Sequence, residues 1–182
     1  MALPVARFAA AVRARNPLIH SITNYVVAPF QANALSALGA SPIMADEPEE
    51  AAKLTGLSDG LVVNIGTLNQ HSINAMYLSA QAACRKNIPR VLDPVGVGAS
   101  YLRQHTVHEL LQLFRFSAIR GNAGEIAFLA QAGHRNKGID AGALEADPLQ
   151  IAQTVARRYQ SIVVMTGAED YITHLSKQAN ME

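Results

Sequence analysis

Several short apolar stretches of this chain end in acids, amides and glycines, the residue types that hold metals and phosphates. The clearest is segment 91–99, Val-Leu-Asp-Pro-Val-Gly-Val-Gly-Ala. Asp93 offers a carboxylate for a metal ion or a hydroxyl group. The glycines that follow let backbone N–H groups approach an anion closely. The same residues are also ordinary turn formers, so the segment alone leaves both interpretations open.

A second segment, 119–125, reads Ile-Arg-Gly-Asn-Ala-Gly-Glu. An arginine at a strand end, here Arg120, can pair with phosphate. Glu125 falls in the first turn of a predicted helix, where the helix dipole favours a carboxylate for structural reasons alone. Its functional interpretation joins it to Asp93 around a hydrated Mg²⁺ ion, which proteins bind through one or two carboxylates plus substrate phosphates. We favour this pairing because both acids are expected at the same edge of a sheet.

Other predicted strands also run into polar residues. The clusters are Thr23-Asn24, Met44-Ala45-Asp46, Asn64-Ile65-Gly66-Thr67 and 165–170. In open α/β sheets, ligands bind beyond the carboxyl ends of the strands, so these clusters predict one composite site. Met44 is either a plain core side chain or part of a substrate-pocket wall.

The elements that must position these clusters alternate along the chain. Apolar runs rich in Val and Ile predict strands at 18–22, 42–45, 61–65, 90–93, 117–120 and 161–166. Helical spacing predicts helices at 29–38, 72–86, 105–114, 123–130 and 148–159. This alternation predicts an α/β fold with a largely parallel sheet flanked by helices. With 182 residues and 49% hydrophobic content, we expect a single domain.

Composition argues against several classes of partner. The net charge is +1 and the chain has no tryptophan, so we expect neither nucleic acid nor an anionic membrane as a partner. No apolar run is long enough to span a bilayer, and segment 1–15 lacks the continuous apolar core of a signal peptide. The one cysteine, Cys84, lies in a helical pattern and is expected to be a small buried residue. We therefore expect a cytoplasmic protein.

Known nucleotide-binding and metal motifs do not fit. The spacing from Gly133 to Gly138 is followed by Ile139, which breaks the P-loop pattern. Segment 96–101 lacks the third glycine of the dinucleotide fingerprint. The His105-x-x-His108 spacing predicts a solvated helix face, and the other histidines are expected to be structural or at the surface.

Seven motifs, in order, resemble the hydroxyethylthiazole kinase family. They are NPLIHSITN at 16–24, ANAL at 32–35, LGASPIM at 38–44, NIGTL at 64–68, LDPVGVGA at 92–99, IRGN at 119–122, and VVMTG at 163–167 with Asp170-Tyr171. The resemblance implies a ribokinase-like α/β protein of thiamine salvage. It implies transfer of the γ-phosphoryl group of ATP to the hydroxyl of 4-methyl-5-(2-hydroxyethyl)thiazole, here called the thiazole alcohol.

The resemblance also implies roles for individual residues on the substrate side. Met44 would contact the thiazole. Asn24 and Val26 would lie near that pocket, and Gly66 and Thr67 would border it. Family members are homotrimers in which neighbouring subunits share this pocket, so a homotrimer is expected.

On the nucleotide side, the resemblance implies that Arg120 and Thr166 bind ATP phosphates. Asp93 and Glu125 would organise Mg²⁺ and its water. Such a site needs no covalent protein intermediate, because phosphoryl transfer depends mostly on positioning and electrostatic stabilisation.

Two departures from the family pattern stand out. Gly124 replaces the usual serine before Glu125. The family also continues past Tyr171 into a Gly-Thr-Gly-Cys segment that supplies an anion hole and a cysteine, and 175–182 is polar and unpatterned instead. The interpretation is therefore a single incomplete domain over 1–182, truncated at the C-terminus, with an atypical tail at 175–182. No catalytic residue is assigned, since the family cysteine is absent, and we expect impaired turnover.

Two alternatives remain open. One is a non-catalytic fragment that binds the thiazole alcohol or pairs with a full-length partner. The other is a different ribokinase-like enzyme, such as a pyrimidine kinase or a nucleotide-repair dehydratase. The Thr23-Asn24 pair and segment 39–44 argue against the second alternative.

Overall fold

A computed structural model describes residues 5–131 and 147–173. The helices in these ranges are α1 Val5–Arg15, α2 Ala28–Leu38, α3 Pro48–Leu57, α4 Gln70–Lys86, α5 Tyr101–Leu113, α6 Ala123–Gln131 and α7 Pro148–Tyr159. The strands are β1 Leu18–Ile22, β2 Ser41–Ile43, β3 Gly60–Asn64, β4 Arg90–Asp93, β5 Ala118–Asn122, β6 Ile162–Thr166 and β7 Tyr171–Thr173. A short 3₁₀ turn, Val97–Ala99, lies between β4 and α5.

The chain divides into two compact units, Met1–Val91 and Leu92–Glu182. In the first unit β1 lies between β2 and β3 and is parallel to both, with Leu18 opposite Ser41 and Ile19 opposite Gly60. In the second unit β5 and β6 are parallel, and only β7 runs antiparallel to its neighbour β6. The predicted α/β fold with a largely parallel sheet is confirmed. The single domain over 1–182 stays a prediction, and the predicted tail 175–182 lies outside the described residues.

The predicted elements are present, with shifted ends. Strand β2 ends at Ile43, so Met44 and Ala45 lie beyond the strand that was predicted to contain them. The predicted strand 117–120 continues further than expected and includes Gly121 and Asn122. They are the last two residues of β5, because the ladder to β6 continues until Asn122 lies opposite Thr166, and α6 then begins at once.

Two helices were missed from the sequence. Helix α3 begins with Glu47 as its N-cap, Pro48 in the first turn, and Glu49 and Glu50 after it. That is a recognisable helix start, since proline tolerates the first turn and acids suit the positive end of the dipole. Helix α1 is rich in alanine and has no buried residue, so hydrophobic periodicity gave no signal for it.

Each unit has its own apolar core. In the first unit Leu61 and Val63 of β3 are buried, and α4 contributes buried small residues such as Ala75 and Ala80. In the second unit the largest fully buried side chains are Leu92, Leu110, Phe116, Ile119, Ile126 and Met165. Across residues 5–131 and 147–173, no helix has both the length and the apolar character needed to cross a bilayer.

Gly39 at the end of α2 provides a test of the first unit. It adopts φ +95°, and an added Cβ would lie 2.7 Å from Arg13 Cγ and 2.9 Å from Arg13 Cα. Left-handed backbone alone costs a side-chain-bearing residue about 1–2 kcal/mol. We predict that Gly39→Ala lowers the free energy of unfolding by at least that amount in urea titrations. Gly56→Ala is the matched control, because no atom lies within 4 Å of its Cβ position. Gly56→Ala should leave the free energy of unfolding unchanged or raise it. Equal losses of stability in both variants would contradict the left-handed, crowded backbone at Gly39.

Candidate functional site

The loop after β4 is fastened to the first turn of α6 by Glu125. Its Oε1 accepts a hydrogen bond from the Gly96 backbone N–H at 2.9 Å, and its Oε2 accepts one from the Asn122 N–H at 2.8 Å. The Glu125 N–H in turn donates to Asn122 Oδ1 at 2.9 Å. Bonds from N–H groups to a carboxylate are stronger than neutral ones. Glu125 therefore fixes the loop at 93–98 and the start of α6 in one arrangement.

Two glycines make this arrangement possible. A Cβ at Gly121 would lie 3.0 Å from Glu125 Oε2 and 3.2 Å from Glu125 Cβ, so a larger residue would displace the carboxylate. Gly96 adopts φ +61°, a conformation that glycine enters without steric cost. These two positions explain why glycines follow Asp93 and Arg120 in the sequence.

Helix α5 holds the same loop from a second side. Arg103 Nη1 donates to the Val95 carbonyl at 2.6 Å, and Gln104 Nε2 donates to the Gly98 carbonyl at 3.3 Å. Ser100 caps the helix by accepting from the Arg103 N–H at 3.3 Å. Sequence reasoning missed Arg103. The available signal was its place in the first turn after a serine cap, directly beyond the glycine-rich segment.

Three of the predicted nucleotide-side residues lie on strands: Asp93 ends β4, Arg120 lies in the middle of β5, and Thr166 ends β6. Arg120 forms an ion pair with Asp93, with Nη1 to Oδ2 at 3.3 Å. The arginine side chain is 52% exposed, whereas the aspartate is 15% exposed. Thr166 lies opposite Asn122 in the β5–β6 ladder, and its Oγ1 donates to the Gly121 carbonyl at 3.4 Å. An exposed guanidinium has five N–H donors in all, enough to bind a phosphate while retaining the aspartate.

The donors near this loop suit a hydrated Mg²⁺ ion rather than a fully protein-bound one. Asp93 and Glu125 are carboxylates, the hard oxygen ligands that Mg²⁺ prefers. No group of three or more His, Cys, Asp or Glu side chains placed to hold a metal occurs among residues 5–131 and 147–173. Both Glu125 oxygens already accept backbone N–H groups, which favours contact through a metal-bound water.

In the first unit, two asparagines organise the ends of β1 and β3. Asn64 Oδ1 accepts from Asn24 Nδ2 at 3.1 Å and from the Gly66 N–H at 2.9 Å. Asn24 Oδ1 accepts from the Val27 N–H at 3.1 Å. A Cβ at Gly66 would lie 2.8 Å from Asn24 Nδ2, so this packing requires glycine. Asn24 therefore shapes this part of the unit through hydrogen bonds within the chain.

The remaining substrate-side residues lie in the loops beyond these strands. Met44 is half-buried immediately after β2, and Thr67 is half-buried between β3 and α4. Val26 is 88% exposed, the most exposed large apolar residue of the described chain. Its neighbour Tyr25 donates its hydroxyl to Asp46 Oδ2 at 2.5 Å. That bond is the main reason that the pKa of the Tyr25 phenol is raised above its ordinary value.

His20 is fully buried in β1 and ties two further segments together. Its Nε2 lies 2.8 Å from the Ala45 carbonyl, and its Nδ1 lies 2.7 Å from Thr55 Oγ1. Burial lowers the pKa of His20 below its ordinary value, although the bond to Ala45 and the charge of Glu50 oppose that shift. Cys84, expected to be buried, is only half-buried within α4.

Removing the Glu125 carboxylate should loosen the loop at 93–98. We predict that Glu125→Ala lowers the free energy of unfolding by about 1–3 kcal/mol, because two backbone N–H groups lose a charged acceptor. Hydrogen exchange of the Gly96 and Asn122 amides should become faster, as measured by NMR. Gly124→Ala is the control, since its Cβ would lie 3.4 Å from Asn122 Oδ1, an ordinary contact. An unchanged exchange rate of the Gly96 amide in Glu125→Ala would contradict the role of Glu125 in holding the loop.

Comparison with known proteins gives one consistent result. A model of the family "HK: Hydroxyethylthiazole kinase family" matches residues 9–182. The hydroxyethylthiazole kinase of Glaesserella parasuis is 49% identical over 167 residues, covering 92% of this chain and 62% of the relative. That of Pasteurella multocida is 51% identical over 162 residues, covering 89% and 61%.

A solved structure agrees. The hydroxyethylthiazole kinase protein from Pyrococcus horikoshii OT3 superimposes with a TM-score of 0.80 at 39% identity, covering 92% of this chain and 62% of that one. The chain thus spans about three fifths of the length of these relatives. The match runs to residue 182 and so includes segment 175–182. The predicted family is confirmed: this chain belongs to the hydroxyethylthiazole kinase family.

Proposed function

We propose that the protein transfers the γ-phosphoryl group of ATP to the hydroxyl of the thiazole alcohol, a step of thiamine salvage in the cytoplasm. The observation that carries the proposal is the loop at 93–98, fastened by Glu125 beside the Arg120–Asp93 ion pair. An ordered loop, an exposed guanidinium and two carboxylates are parts that phosphoryl transfer uses. Relatives that are 49% and 51% identical to this chain carry the name hydroxyethylthiazole kinase.

On the nucleotide side, Arg120 binds phosphate oxygens as a charged, bidentate donor. Thr166 adds a hydroxyl from the neighbouring strand β6. Asp93 and Glu125 would hold Mg²⁺ and its water, and the ion would supply positive charge that neutralises the phosphates. Glu125 also positions the loop at 93–98, so it acts on the phosphates mainly through the backbone that it orders.

On the substrate side, Met44 forms an apolar wall for the thiazole ring. Gly66 and Thr67 border the same pocket, where the missing side chain at Gly66 leaves room for Asn24. Asn24 and Val26 complete it, Asn24 chiefly by holding the loop after β1. The ring has few hydrogen-bonding atoms, so apolar contact is the main source of affinity.

The proposal includes a homotrimer. Val26, Phe30 and Tyr25 are 88%, 76% and 59% exposed, a concentration of apolar side chains in one short segment of the first unit. Such a patch is typical of a subunit interface. Light scattering of the purified protein should give three times the monomer mass, and a monomer would contradict this part of the proposal.

The reaction itself is tested by incubating the purified protein with labelled ATP, Mg²⁺ and either the thiazole alcohol or hydroxymethylpyrimidine. We expect phosphorylated thiazole only. Calorimetric binding of the thiazole alcohol is the second readout, because it detects the substrate site independently of turnover. Binding without any product would favour the non-catalytic alternative, and phosphorylation of the pyrimidine would favour another ribokinase-like enzyme.

Arg120→Ala provides the sharpest single substitution. Loss of one charged hydrogen-bond donor to phosphate costs about 1.5–3 kcal/mol, so ATP should bind about 10- to 100-fold more weakly. The affinity for the thiazole alcohol should not change. Arg157→Ala removes an exposed arginine from the last turn of α7 and serves as the control. Equal ATP affinity in Arg120→Ala and the wild type would contradict the role of Arg120.

A further inference from the structure

Met44 lies between Ile43 and Ala45, and His20 contacts both of these neighbours. The backbone of His20 lies opposite Ile43, the last residue of β2, in the β1–β2 ladder. The imidazole of the same residue then reaches past Met44 to the carbonyl of Ala45, with Nε2 to O at 2.8 Å. The residues on both sides of Met44 are therefore held by His20.

Hydrogen-bond chemistry fixes which nitrogen carries the proton. The Ala45 carbonyl can only accept, so Nε2 must be protonated. Nδ1 of the neutral ring is then an acceptor, and its partner within 2.7 Å is the Thr55 hydroxyl, which can donate to it. The same hydroxyl also donates to the Ala51 carbonyl at 2.9 Å, so its one hydrogen is shared between these two acceptors. Thr55 in α3 thus orients the ring, and the ring orients the Ala45 peptide.

A second attachment lies just beyond. Tyr25 donates to the Asp46 carboxylate at 2.5 Å, so the residue after Ala45 is also held from the segment that follows β1. The two attachments differ in environment, because His20 is fully buried whereas Tyr25 is 59% exposed. Water competes with the tyrosine bond and not with the histidine bond, which makes His20 the stronger constraint.

We propose that His20 is the positioning residue for Met44: its Nε2–H bond to the Ala45 carbonyl sets the backbone that presents the Met44 side chain to the thiazole ring. The consequence for ligand binding rests on the proposed function. The effect on Met44 itself does not, and it is measurable without any ligand.

Two substitutions separate the hydrogen bond from simple filling of space. In His20→Gln, the side-chain amide nitrogen lies about as far from the backbone as Nε2 of the histidine ring. The variant therefore keeps a hydrogen-bond donor for the Ala45 carbonyl. The shorter Asn in His20→Asn reaches only as far as Nδ1, so it loses that donor while keeping a polar group near Thr55. Thr55→Val is a third variant, which keeps the imidazole and removes the hydroxyl that orients it.

The first readout is the methyl NMR spectrum of the protein labelled at its methionines. We expect the Met44 methyl resonance to move in His20→Asn and to stay near its wild-type position in His20→Gln. Met76 in α4 and Met165 in β6, both buried, serve as internal references. If His20→Asn does not fold, Thr55→Val decides, and it should move the Met44 resonance in the same direction by a smaller amount.

The second readout is calorimetric binding of the thiazole alcohol and of ATP. Loss of one buried hydrogen bond, worth about 1.4 kcal/mol here, corresponds to about tenfold weaker thiazole binding in His20→Asn, with ATP affinity unchanged. His20→Gln should bind within about twofold of the wild type. If the wild type fails to bind the thiazole alcohol, the proposed function fails, and the methyl spectrum still judges His20. The positioning role is overturned if His20→Asn folds and keeps the wild-type Met44 resonance. If His20→Asn does not fold, a folded Thr55→Val with the wild-type Met44 resonance overturns it.

Discussion

The hydrogen bonds that the Glu125 carboxylate accepts from two backbone N–H groups are the constraint on which the loop at 93–98 depends. A polar loop of alternating glycines has many accessible conformations, and ordering it costs about 1–2 kcal/mol per residue in backbone entropy. Glu125 offsets part of that cost by joining Gly96 to Asn122. Arg103 adds a contact to Val95 from the opposite side. Without these contacts the loop at 93–98 would not keep one arrangement beside the Arg120–Asp93 ion pair.

The first unit orders its loops mainly with neutral groups, and the Asp46 carboxylate accepts its bond from Tyr25 in an exposed position. Asn24, Asn64 and Gly66 form one hydrogen-bonded cluster, and His20 and Tyr25 hold the segment after β2. Neutral attachments suit a pocket meant for an apolar ring, because they leave no buried charge beside it. The charged attachments lie instead in the second unit, beside the residues proposed to bind phosphates. The chemistry of each set of contacts thus matches the ligand proposed for that unit.

The sequence predicted most strands and helices because their apolar spacing is strong, and β1, β4 and α7 have the predicted bounds. It placed Glu125 in the first turn of α6. It also predicted that Arg120 lies near Asp93, because both residues were expected at the same edge of a parallel sheet. It did not show that both Glu125 oxygens bind backbone N–H groups, because that depends on the path of a loop 29 residues away. Arg103 and His20 were missed as positioning residues for the same reason: their partners are backbone carbonyls, which carry no sequence signal.

The most direct test of the account is an amide NMR spectrum of the protein with ATP and Mn²⁺ in place of Mg²⁺. A paramagnetic ion broadens the resonances of nearby amides. The account predicts the strongest broadening at residues 93–98 and 120–125, appearing only when ATP and the metal are both present. Sharp resonances in those two segments, with broadening centred elsewhere in the chain, would contradict the assignment of the nucleotide site.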